Sequence, residues 1–85
     1  MPERNERNPG PLEIAERAIV LQVLRDDHDE RWSLAELQAE IGVEPTLLSS
    51  AVKHLEQQGA LVSLDACVLA SRCARHLDGL WLIGV

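Results

Sequence analysis

Residues 33–62 read SLAELQAEIGVEPTLLSSAVKHLEQQGALV, and this stretch decides the fold. Ser33 followed by Glu36 is the S-x-x-E capping box. In it, a hydroxyl and a carboxylate satisfy backbone N–H groups that a helix start otherwise leaves without partners. Leu34, Leu37 and Ile41 follow at helical spacing. Gly42 predicts the end of that helix, because the residue after a helix often adopts a left-handed conformation that glycine takes at little cost. Val43 fills a tight turn, and Glu44-Pro45 opens the next helix with Pro at its first position, where a missing N–H matters least. Leu48, Ala51, Val52 and Leu55 form the apolar stripe of a helix over 45–58, which Gly59 ends.

Downstream, the pattern changes. Residues 61–64 (LVSL) and 67–70 (CVLA) are two short strand-like runs. The two residues between them, Asp65-Ala66, have the length of a hairpin turn, although Ala is a poor second residue for one. Ser71 then caps a short helix from Arg72 to Leu77, with Gly79 as its stop, and residues 80–85 (LWLIGV) form an apolar tail. Upstream, Leu12, Ala15, Ile19, Leu21, Val23 and Leu24 predict an amphipathic helix over 12–27, with Ile14, Ala18 and Val20 broadening its stripe. A face this wide is expected to be buried on more than one side, either at the centre of a monomer or against a mate. The acidic run Asp26-Asp27-His28-Asp29-Glu30 opposes the helix dipole and is expected to stop the helix near Asp27. Residues 1–11, rich in Pro, Asn and alternating charge, read as a flexible tail, leaving 12–85 as one domain.

Composition narrows the function classes. The chain has 85 residues, enough for one small domain with a modest core. It has no Phe or Tyr, so Leu, Ile, Val and Ala must build that core around Trp32 and Trp81. The net charge is −6, the wrong sign for coating a nucleic acid or an anionic membrane. The excess acid lies in the first half. Residues 12–31 carry six acidic residues against three arginines, and residues 32–45 add Glu36, Glu40 and Glu44 with no base. From Thr46 onward, Lys53, Arg72 and Arg75 balance Glu56, Asp65 and Asp78. Nothing at the N-terminus reads as a signal peptide and no apolar run reaches membrane-spanning length, so a cytoplasmic location with reduced thiols and no membrane contact is expected.

Helix, glycine turn, helix, glycine and two-strand hairpin is the order of a winged helix-turn-helix. Residues 33–62 resemble helix 2, the turn, the recognition helix and the first wing strand of bacterial winged-helix regulators of the MarR and related types. The full order covers residues 12–77. The resemblance implies a mainly α fold with a small β-hairpin: three helices, a two-stranded wing, a short C-terminal helix and a tail. It also implies that the helix over 45–58 enters a DNA major groove by its N-terminal turns. Thr46, Leu47, Ser49, Ser50, Lys53 and His54 would then face the duplex, and Arg72 and Arg75 would reach the flanking backbone. The chain departs from the pattern at three places: Glu44 stands at the cap, Ser50 and His54 occupy positions where Arg is frequent, and the Asp65-Ala66 turn has no base. So few cations predict weak binding with a shallow salt dependence.

Other chemistries find less support. Cys67, Cys73 and His76 supply only three candidate metal ligands and no C-x-x-C, so neither a metal nor a cofactor is expected and both cysteines read as small hydrophobes. His28 reads as a solvated loop residue. Trp32 precedes the capping box and is expected to staple onto Leu37. Trp81 either completes the core or belongs to a dimer patch. There is no phosphate-binding glycine loop, no nucleophile elbow and little room for a ligand-sized pocket, so no enzyme is expected. Two functions remain: a transcriptional regulator that binds duplex DNA as a homodimer, held through residues 12–27 and 80–85, and a protein-interaction module with the same fold.

Overall fold

The computed structural model describes residues 10–25 and 29–81. Four helices and three short strands follow in the order α1 (Pro11–Val23), β1 (Trp32–Ser33), α2 (Leu34–Ile41), α3 (Pro45–Gln57), β2 (Leu61–Leu64), β3 (Cys67–Ala70) and α4 (Arg72–Gly79). The arrangement is mainly helical with a small antiparallel sheet and is compatible with a winged-helix shape.

The sheet has three strands rather than the expected two, in the order β1-β3-β2. The added strand comes from the helix cap itself. Ser33 sits at φ −75°, ψ 159°, and its Oγ accepts from the Glu36 N–H at 3.0 Å while the Glu36 carboxylate accepts from the Ser33 N–H at 2.9 Å. An N-cap residue has extended dihedrals, so the residue that starts α2 can also lie along a sheet edge. Here Trp32 pairs with Val68 and Ser33 with Cys67. The pairing turns the Trp32 side chain inward, where it joins Leu37 in the core as the staple requires.

α1 is shorter than predicted. It runs from Gly10 at the cap to Val23, and Leu24 leaves helical geometry at φ −91°, ψ 0°. Extending the helix would carry it into the acidic run, against the negative end of its dipole. Residues 1–9 of the expected tail, together with Asp26, Asp27 and His28, lie outside the described residues. The wide apolar stripe divides: Ala15, Ile19 and Val23 are buried, whereas Ile14 is 56% exposed.

The core forms where α1 packs on α3. Ile19 and Leu37 are fully buried, and Leu48, Ala51, Val52 and Leu55 of α3, Leu61, Val68 and Ala70 of the sheet, and Ala74 of α4 close around them. Gly42 holds α2 and α3 apart at φ 78°, and the Gln38 amide donates to the Val43 carbonyl across the turn. α4 is fixed at its start, where Ser71 donates its N–H to the Ala60 carbonyl at 2.9 Å and accepts the Ala74 N–H on its Oγ at 3.0 Å. The helix runs on through Gly79 to a cap at Leu80. Trp81 does not complete the core: it is 89% exposed. Residues 82–85 of the tail lie outside the described residues.

Candidate nucleic-acid interface

Every strongly apolar side chain of α3 faces inward, which frees the opposite face for contact. Leu48, Ala51, Val52 and Leu55 occupy the buried stripe. Thr46, Ser49, Ser50, Lys53 and Gln57 are exposed, and their spacing places them around the outward side of the same helix. Thr46, Ser49, Ser50 and Lys53 therefore share one surface, as the sequence suggests, and Gln57 extends it by a further turn. Gln57 was legible from its position four residues after Lys53.

Two expected members of this surface turn away from it. Leu47 is partly buried against the core rather than exposed. His54 faces α1, where its Nδ1 meets the Glu16 carboxylate. Its Nε2 lies 3.5 Å from the Gln58 amide. These two positions fall on one flank of α3, a little under half a turn around the helix from Ser49. The two residues of the His54–Glu16 contact are 38 positions apart, so no local pattern announces it.

Arg72 and Arg75 stand at the start of α4, next to the Ser71–Ala60 hydrogen bond and so beside the C-terminal end of α3. Thr46 lies about 16 Å further along α3, at its other end. The two arginines thus flank the helix end rather than its N-terminal turns.

The electrostatics of the face are mixed. Lys53 is the one formal cation between Trp32 and Ser71. A groove of about 220 Å³ runs between α3 and the hairpin, and Ser49, Val52, Lys53 and Glu56 form one wall while Ser63, Ala66, Cys67 and Val68 form the other. Glu56 holds the Ser63 hydroxyl there, so a carboxylate lies one helical turn from the lysine. At the start of α3, the cap residue Glu44 is exposed and makes no side-chain capping bond. Its charge suits the positive end of the helix dipole and occupies the place an incoming phosphate would take.

The hairpin turn beside this groove has both central residues at positive φ, Asp65 at 51° and Ala66 at 64°. On the outer face of the sheet, Val62 and Leu64 remain 46% and 43% exposed. The two cysteines are both free and line different grooves, Cys67 beside α3 and Cys73 beside α1. Among the described residues, no group of three or more His, Cys, Asp or Glu side chains could hold a metal ion, and no helix is long and apolar enough to cross a membrane. The chain does have a ligand-sized hollow, contrary to expectation: about 600 Å³ between α1, the end of α3 and α4.

Compared with known proteins, the chain matches no family model and no curated sequence.

Proposed function

We propose that the protein is a small DNA-binding regulator that presents α3 to the major groove and acts as a homodimer. The observation that carries this reading is the outward face of α3. Thr46, Ser49, Ser50 and Lys53 are exposed there, and the helix needs none of them for its packing. Hydroxyl groups on the first two turns of such a helix, with an ammonium one turn further on, are suited to phosphates and base edges. Arg72 and Arg75 serve the backbone beyond the far end of the helix. Ile14, Leu80 and Trp81, exposed by 56%, 52% and 89%, supply the apolar contact between copies.

The test is equilibrium binding of the full chain to a labelled duplex at ~50 and ~200 mM salt. The expected result is salt-sensitive binding that Lys53→Ala weakens uniformly across sequences, with the salt slope reduced by about one. Folded protein that shows no binding at the lower salt would sink the proposal.

A second reading, a protein-interaction module, is favoured by one specific observation. Val62 and Leu64, on one face of the edge strand β2, are 46% and 43% exposed. That surface suits a protein partner with an apolar contact of its own. Under this reading Leu64→Lys abolishes partner binding and Lys53→Ala leaves it unchanged.

A further inference from the structure

We infer that β2 is a pairing edge for a second copy of this chain. Two β2 strands lie antiparallel about a two-fold axis at Ser63 and join their sheets into one. The inference rests on the second reading above, in which β2 is the working surface, and names its partner.

The sheet order β1-β3-β2 leaves one side of β2 open. Which backbone groups point that way follows from the hairpin. Leu64 and Cys67 flank a two-residue turn and so form a hydrogen-bonded pair. Bonding toward β3 recurs at every second residue, at Val62 and again at Ala60, whose carbonyl accepts the Ser71 N–H at 2.9 Å. The N–H and C=O of Ser63 fall between these and point away from β3. Natural edge strands are guarded by charge, proline or a bulge. Residues 61–64 carry no charge and no proline, and their register with β3 is unbroken.

The exposed residues of the edge are Val62, Ser63 and Leu64. They read apolar, hydroxyl, apolar from either end, so the strand matches its own reverse. With the axis at Ser63, the two Ser63 residues exchange both backbone hydrogen bonds. Val62 of each copy then faces Leu64 of the other at the closer, non-hydrogen-bonded spacing. An axis at Val62 would instead need the backbone of Leu61, which is only 3% exposed. Charge favours the same register. It sets Asp65 of one copy opposite Leu61 of the second. Leu61 pairs with Ala70, and Arg72 stands two residues beyond. The Cα atoms of Asp65 and the second copy's Arg72 are then about 12 Å apart, within the combined reach of the two side chains, and symmetry makes the contact twice. Asp65 and Arg72 are both exposed, and neither has an ion-pair partner among the described residues. This double match of pattern and charge commits the edge to a second copy.

The patch is small, so the expected dissociation constant is on the order of 0.1 mM. The experiment follows amide exchange and sedimentation of the full chain, without DNA, from about tenfold below that concentration to about tenfold above. The Val62 and Leu64 amides should be protected throughout, and the Ser63 amide only as copies associate. Ser63→Pro removes the outward N–H and no bond to β3, and should weaken association at least about tenfold. Ser63→Ala keeps that N–H and should leave association unchanged. Asp65→Asn, which suits the same left-handed turn, should weaken it about threefold. Concentration-dependent protection of Ser63 should persist in Ile14→Glu, which separates this contact from the one through α1. A dimer with Ser63 unprotected would overturn the inference, as would protection independent of concentration. A chain that stays monomeric yet binds another protein through Leu64 would overturn it and leave the interaction reading standing.

Discussion

At the hairpin, Asp65 and Ala66 both take positive φ, and the two residues differ in how well they tolerate it. Asp visits that region with local help from its short polar side chain, whereas Ala meets the full steric cost of its Cβ. A two-residue turn of this kind matches the twist of its strands, and that requirement forces the conformation on whatever residue stands there. Ala66→Gly is therefore expected to stabilise the protein by about 1 kcal/mol, visible as a rise in the urea midpoint at unchanged slope. An unchanged or lower midpoint would show that the hairpin is not held in this geometry in solution. Residue identity made this strain readable in the sequence, because Ala in a two-residue hairpin is an anomaly on its face. The fate of Leu47 and His54 was not readable. Both lie on the flank of α3 where exposure depends on how closely α1 approaches, and that distance is a property of packing rather than of spacing.

Among the elements, α2 and α3 were legible almost to the residue because the Ser33 capping box, Pro45 at the start of α3 and left-handed Gly42 and Gly59 punctuate them. β1 was hidden for the converse reason. Two residues cannot display an alternating pattern, and the cap signal of Ser33 masked its second role as a strand residue paired to Cys67. The dual role predicts a partial effect. Ser33→Ala removes the hydroxyl that accepts the Glu36 N–H but keeps the backbone pairing, so the loss is expected to be about 1 kcal/mol, as for an ordinary cap. Urea unfolding measures it, and a loss several times larger would mean that the sheet edge falls with the cap. The stripe of α1 was legible as apolar but not as divided. Eight apolar positions in one helix do not say which of them stay outside, and the packing of α1 on α3, α2 and β3 selects Ala15, Ile19 and Val23.

For the whole molecule, net charge and apolar exposure pull toward different partners. The −6 charge repels a duplex at long range, so a monomer with one lysine on its reading face would gain little from electrostatic steering. Pairing two copies doubles the cations on the duplex without lengthening the chain. Under the proposed homodimer, Ile14 of α1 is the most telling residue to change. Ile14→Glu is expected to raise the dimer dissociation constant by at least about tenfold, given the value of a buried isoleucine, as measured by light scattering across a concentration series. A wild-type chain that stays monomeric at high concentration would exclude this interface and leave the α3 face to act alone. Of the two places expected for Trp81, the core is excluded: Trp81 sits at φ 64° and is 89% exposed.

That contrast between the two indoles has a practical consequence. With no Tyr and two Trp residues in the chain, all of its near-ultraviolet emission comes from one indole that is 3% exposed and another that is 89% exposed. Trp32 emits at short wavelength and shifts to the red only when the core opens. Trp81 emits at long wavelength, is open to collisional quenching by iodide, and shifts to the blue only when something covers it. An unlabelled sample thus carries separate optical signals for unfolding and for partner engagement, distinguishable by the direction in which the spectrum moves.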